Sequence, residues 1–184
     1  MRDIFTRTFY TALDFETGGI FNPNDPACIN GTDRRKCGTS GGPDDRGGNT
    51  KFGIAQNSHP RVNIDALTLD QAGQIYKQDY WLASSCDKYP DLVGAYVFDI
   101  ACGSGPSVAN HMLQRAVGVT ADGVIGKGTL AAVQATPVDA LLNNLKLQRH
   151  AYYQSIADHN PSQAKFLPGW FRRADTFLDV LKKY

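Results

Sequence analysis

Ile4-Phe5-Thr6-Arg7-Thr8-Phe9-Tyr10-Thr11-Ala12-Leu13-Asp14-Phe15-Glu16-Thr17-Gly18-Gly19 decides how the rest of the chain is read. Apolar side chains at Ile4, Phe5, Phe9, Ala12, Leu13 and Phe15 recur at the spacing of an amphipathic helix over residues 3–16. Gly18 and Gly19 stop it, as glycine does at helix ends, and Glu16 is left at its C-terminal end. Immediately beyond, from about residue 20 to 50, the composition turns to Asn, Pro, Asp, Gly and Cys. This is a long loop or a small irregular, β-like lobe, and long loops in compact domains are often functional.

After Lys51-Phe52-Gly53-Ile54 a helical regime begins. Thr68 with Gln71 three residues later has the form of a capping box, so 69–80 reads as helix. Leu92–Ala101 is apolar and reads as buried, and Asp99 within it reads as a satisfied structural carboxylate. Ser107–Val117, Thr129–Ala135 and Val138–Ile156 read as helices, with a turn-rich stretch over Gly118–Gly126. Pro161, Pro168 and Gly169 interrupt before a last helix near 170–182. The expectation is a mainly α protein, a helical bundle with a small irregular or β lobe near residues 20–55.

At 184 residues, 42% hydrophobic and with a formal net charge of +1, the chain is long enough for one real core. No overall field draws it to nucleic acid. The basic runs Arg34-Arg35-Lys36, Arg172-Arg173 and Lys182-Lys183 read as solvated charged faces. No window approaches the roughly 18 apolar residues of a membrane span, and the N-terminal residues lack a signal peptide's apolar stretch. The expectations are synthesis in a host cytoplasm, no membrane insertion, and a monomer. The cysteines at 28, 37, 86 and 102 make no CxxC pair, and His59, His111, His150 and His159 lie apart. No metal site and no cofactor are expected, which disfavours a zinc amidase. A cysteine peptidase lacks a local signature. Cys28 and Cys37 bracket a short polar step that could close as a disulfide after export or stay as thiols in a reducing cytoplasm. A Cys86–Cys102 bridge is the weaker pairing.

Glycosidic cleavage needs a proton delivered to a leaving oxygen, and usually a second carboxylate or an oriented water. The acid must keep its proton, so it belongs in a confined, partly apolar place. Glu16 follows Leu13 and Phe15, ends a helix and opens onto glycines that allow a sugar chain to approach. The alternative is an exposed acid at a helix end, although a carboxylate there sits badly with the helix dipole. Asp44-Asp45-Arg46-Gly47-Gly48-Asn49-Thr50 offers carboxylates, close-approach glycines and a hydroxyl able to hold a water. The alternative there is an ordinary turn.

Glu16-Thr17-Gly18-Gly19, followed by Asp45-Arg46-Gly47-Gly48-Asn49-Thr50-Lys51-Phe52-Gly53-Ile54, resembles the E-x-G-G … D-x-G-G-x-T-x-x-G-I signature of glycoside hydrolase family 108, a family of N-acetylmuramidases found in phage endolysins. Leu67-Thr68-Leu69-Asp70-Gln71-Ala72, Ile75-Tyr76 and Tyr80-Trp81 continue the likeness. Leu113–Val119, Asp122-Gly123, Gly126 and Thr129, then Phe166, Gly169-Trp170 and Arg172-Arg173, resemble the family's C-terminal peptidoglycan-binding region. The resemblance implies a lysozyme-like fold, with a catalytic region over 1–100 and a peptidoglycan-binding region over 101–184, packed as one globule. It implies a peptidoglycan hydrolase that cleaves the β-1,4 bond between N-acetylmuramic acid and N-acetylglucosamine, acting as a phage endolysin in the periplasm. Glu16 is the implied general acid, Asp45 the second carboxylate and Thr50 the residue that orients water; Gly18, Gly19, Gly48 and Tyr80 are the implied substrate contacts. Residues about 27–43 depart from the pattern as an inserted loop, which leaves Asp25 and Asp44 as alternatives to Asp45. Tyr76, Tyr80 and Trp81 divide between core and cleft, with Trp81 assigned to the core. The rivals are a lytic transglycosylase or chitinase-type chemistry, and a non-enzymatic wall-binding module.

Overall fold

The computed structural model describes residues 2–33, 35–38 and 49–184. Among these, eight α-helices and a single two-stranded sheet give the mainly α, lysozyme-like fold expected. The chain divides into two compact units, residues 1–77 with Tyr184, and residues 78–183.

In the first unit, α1 (Ile4–Glu16) starts where the Asp3 carboxylate accepts from the Thr6 amide at 3.0 Å. Phe9, Ala12 and Leu13 are buried on it. Thr8 and Thr11 are buried too, and each returns its hydroxyl to the carbonyl four residues back, at 2.7 and 2.8 Å. A β-branched polar residue is thereby satisfied inside the helix. A short helix α2 (Pro26–Ile29) is capped by Asp25. The strands β1 (Thr50–Lys51) and β2 (Ile54–Ala55) then pair antiparallel, Thr50 with Ala55 and Lys51 with Ile54.

Phe52 and Gly53 turn this hairpin with φ values of 52° and 74°, the two positive angles a type I′ turn requires. Phe52 has a Cβ and pays roughly 1–2 kcal/mol for that conformation. Its ring is fully buried, its amide donates to Cys37 O at 2.7 Å and its carbonyl accepts from the Tyr76 hydroxyl at 3.1 Å. Lys51 is buried beside it and donates to Asp65 O at 3.0 Å. Helix α3 (Leu69–Tyr76) opens with the expected capping box of Thr68 and Gln71. It presents Tyr76 to Phe9 of α1, ring centroids 5.1 Å apart. The helical path expected to residue 80 does continue, but as a π-helical turn over Lys77–Leu82. A change of hydrogen-bond register leaves no mark in the apolar spacing.

In the second unit, α4 (Asp91–Ser104) is buried almost all round from Val93 to Ala101, as befits a central core helix. Gly105, at φ 88°, turns the chain into α5 (Pro106–Ala116). Helix α6 (Lys127–Ala135) follows, then α7 (Val138–His159), which buries Leu141, Leu145, Arg149, Tyr153 and Ala157. A 3-10 segment over Pro161–Phe166 leads into α8 (Leu167–Leu181). Pro168, read as an interruption, sits in the first turn of α8, where its missing amide hydrogen costs nothing.

Asp99 is the structural carboxylate expected. It is wholly buried, with Oδ1 accepting from Arg173 Nε and Nη2 at 2.9 and 2.8 Å, and Oδ2 lying 2.7 Å from Arg149 Nη1. Burial alone would raise this carboxyl, but the Arg173 and Arg149 guanidinium groups outweigh it and hold it below its ordinary range. Arg173 therefore does not belong to a solvated charged face, as the sequence run led one to expect. Trp81 is buried against Phe98, ring centroids 5.8 Å apart, in line with its core assignment.

Candidate active site around Glu16

Glu16 is the last residue of α1. Beyond it the Gly18 amide returns to Phe15 O at 3.3 Å and the Gly19 amide to Asp14 O at 2.7 Å. With Gly18 at φ 68°, this is the paired closure of a Schellman motif. Gly18 and Gly19 are exposed, and a Cβ on either would meet nothing within 4 Å. Their conformation thus accounts for the glycine at 18, and the open space beside both is where the sequence reading put a substrate.

Two other glycines border the Glu16 side chain. A Cβ on Gly38 would fall 3.9 Å from Glu16 Cβ and 3.6 Å from Thr17 Cγ2. A Cβ on Gly53, at the hairpin turn, would fall 3.4 Å from Glu16 Cγ and collide with the Tyr76 hydroxyl. Glu16 is an exposed carboxylate, and not in the confined, partly apolar place that the sequence reading expected of an acid; its stem is flanked by the backbone at Gly38 and Gly53. Its surroundings are fixed in turn: Phe9 packs on Tyr76, Tyr76 holds the Phe52 carbonyl, and Phe52 positions Gly53. Neither Gly38 nor Gly53 was singled out as a site residue from the sequence. Gly53 stood within the quoted family signature, whereas Gly38 lay in a loop with no periodic pattern.

The remaining expected residues separate. Thr50 lies in β1, on the hairpin whose turn borders Glu16, and is half-buried. Asp44, Asp45 and Gly48 lie outside the described residues. Asp25 is engaged elsewhere: its Oδ1 caps the Ala27 amide at 2.9 Å and its Oδ2 takes Lys36 Nζ at 2.7 Å. Those hydrogen bonds, to Lys36 first and then to Ala27, hold its carboxyl below the ordinary value. Tyr80 falls in the second unit, in the π-helical turn, half-buried. Cys28, Cys37 and Cys86 are buried thiols and Cys102 is a half-buried one. Cys28 Sγ accepts from the Asn22 amide at 3.4 Å, and Cys37 Sγ faces Asp33 O at 3.0 Å.

In the second unit, Gln114 of α5 holds the turn-rich stretch together. Its Nε2 donates to Asp122 Oδ1 at 2.7 Å and to Val124 O at 3.1 Å, and its Oε1 accepts from the Gly123 amide at 2.7 Å. Among the described residues, no helix is long and apolar enough to cross a membrane.

Residues 30–105 match the family model described as glycosyl hydrolase 108, and residues 108–175 match a model described as a predicted peptidoglycan domain. Residues 30–105 therefore resemble glycosyl hydrolase 108. The chain is thus a peptidoglycan-degrading glycoside hydrolase, with its hydrolase region ahead of its peptidoglycan domain. The first match begins after Glu16, so Glu16 rests on its place at the helix end and not on the matched span. The solved structure of Brucella abortus SagA is similar along nearly the whole length, with 28% identity, a TM-score of 0.69, and 96% of this chain and 95% of that chain covered. The comparison with curated proteins gave no match.

Proposed function

We propose that this hydrolase cleaves the β-1,4 bond between N-acetylmuramic acid and N-acetylglucosamine, with Glu16 as the general acid. The observation that carries the reading is the position of Glu16: an exposed carboxylate at a closed helix end, its stem flanked by Gly38 and Gly53. A pyranose ring needs such clearance to bring its glycosidic oxygen within hydrogen-bond reach of an acid. Asp45 is the second carboxylate, stabilising the oxocarbenium-like transition state or positioning the attacking water. Thr50 orients that water from β1, and Gly18, Gly19, Gly48 and Tyr80 contact the glycan. Residues 1–100 form the catalytic region and 101–184 the peptidoglycan-binding region. The enzyme works as a monomer, in the manner of a phage endolysin: it is made in the host cytoplasm and meets peptidoglycan in the periplasm.

The test is the mass of the products released from purified peptidoglycan. Hydrolysis at the proposed bond leaves reducing muramic-acid ends. Products one water lighter, with anhydro-muramic ends, would replace hydrolysis by transglycosylation, and glucosamine reducing ends would place the cut at the other glycosidic bond.

A further inference from the structure

Lys51 of β1 is buried where its strand meets two other backbone segments of the first unit. Its Nζ donates to Asp65 O at 3.0 Å, on the approach to α3. On the way its stem passes Gly31, just beyond α2, where a Cβ would collide with Lys51 Cε and Nζ. Gly31 also carries a φ of 63°, so glycine serves there both the backbone angle and the room the lysine takes. Asn49, just ahead of the strand, reaches the same residue, its Nδ2 donating to Asp65 Oδ1 at 3.3 Å. The hairpin ladder extends that far, because the Gln56 amide donates to Asn49 O at 2.8 Å.

Successive side chains of a strand point to opposite faces. Asn49 and Lys51 both reach Asp65, so Thr50 between them is turned to the other face, across the hairpin from Ala55. Burying a lysine costs hydration and side-chain freedom, and an isolated two-stranded hairpin is marginal on its ladder alone. Lys51 offsets that weakness by tying the hairpin to the loops on either side. We infer that Lys51 is a positioning residue for hydrolysis: with Asn49 it clamps β1 to Asp65 and Gly31, and so fixes the face on which Thr50 presents its hydroxyl to the attacking water. This rests on the proposed role of Thr50 and names the residues that aim it.

Kinetics are measured on soluble, uncross-linked peptidoglycan strands, with Thr50→Val and Lys51→Met alone and together. Thr50→Val keeps the side chain's shape and removes the hydroxyl. Lys51→Met keeps most of the stem beside Gly31 and removes the donor to Asp65. Lys51→Met is expected to lower kcat by about ten- to hundredfold, the scale of a small misplacement at a reacting group, with KM within about twofold of wild type. Added to Thr50→Val, it should lower kcat by less than about twofold further, because the hydroxyl it aims is already gone. A loss of the same factor in both backgrounds would overturn the inference, since a lysine that only stabilises the fold acts independently of Thr50. A Lys51→Met enzyme with wild-type kcat would overturn it too. Asn49→Ala, a change at an exposed position, repeats the cycle if Lys51→Met does not fold. It should lower kcat by about two- to tenfold, the scale of one hydrogen bond, and again only where Thr50 keeps its hydroxyl. Wild-type kcat in Thr50→Val would instead remove the proposed water-orienting role itself, and the inference with it.

Discussion

Glu16 and Gly53 lie so close that a methyl group on the glycine would come within 3.4 Å of the glutamate's Cγ. The same methyl would run into the Tyr76 hydroxyl, which holds the neighbouring Phe52 carbonyl. The hairpin turn and the end of α1 are thus mutually shaped, through one residue that has no side chain.

Gly53→Ala should therefore harm both stability and activity. The residue's φ of 74° is left-handed, which costs an alanine roughly 1–2 kcal/mol before the collision with Tyr76 is added. We expect a melting point lower by about 3–8 °C and clearing of peptidoglycan suspensions slowed by at least about tenfold, the scale of a slight misplacement beside a catalytic acid. A variant that melts and clears like wild type would mean that Glu16 does not depend on this turn.

The buried ion pairs of α4, α7 and α8 give a second expectation. Arg149→Met leaves Asp99 with Arg173 alone in a dry site, and breaking such a pair costs about 3–5 kcal/mol. Loss of denaturation free energy well below that range in urea titrations would argue that water or a rearranged side chain takes over.

Asp99 also sets a pH dependence. Its carboxyl is held below the unfolded value of 3.8, so the unfolded chain binds the proton more readily. The pair's stabilisation is then present above about pH 4 and is lost as pH falls through the lower folded value. Melting points measured from pH 6 down to pH 3 should drop at the acid end, and Asp99→Asn should start lower and show a shallower drop. Parallel curves would show that other carboxylates dominate acid unfolding.

Thiol accessibility checks the cysteine assignment. Cys28, Cys37 and Cys86 are buried and Cys102 is half-buried, and desolvation pushes the Cys86 thiol far above its ordinary value. Under reducing-purified, native conditions a thiol reagent should label Cys102 first and Cys86 last, and all four only after unfolding. Immediate labelling of Cys86 would contradict its burial.

Much of this was legible because it is local. The apolar spacing from Ile4 to Phe15, the stop at Gly18-Gly19 and the capping box at Thr68–Gln71 are each written within a few residues of where they act. Apolar continuity around Asp99 announced a buried segment, and its carboxylate was read as structural. Its partners were not legible, because Arg149 and Arg173 lie far along the chain and one of them looked like part of a surface run. The π-helical turn at Lys77–Leu82 was hidden for a different reason: apolar spacing does not record which hydrogen-bond register a helical segment adopts. Gly38 came to Glu16 through the path of an irregular loop, which no periodicity records, and Pro168 was misread because proline breaks a helix interior yet suits its first turn.

The most direct test of the central claim is a paired digestion of purified peptidoglycan by wild-type protein and by Glu16→Gln, with products identified by mass spectrometry. The change keeps the side chain's shape and removes its proton, and loss of a placed general acid costs about 10²–10⁴ in rate. The account predicts reducing muramic-acid ends from wild type, a rate lower by that factor from the variant, and equal melting points. Near-normal product release by Glu16→Gln would contradict it and send the search for the acid to another carboxylate.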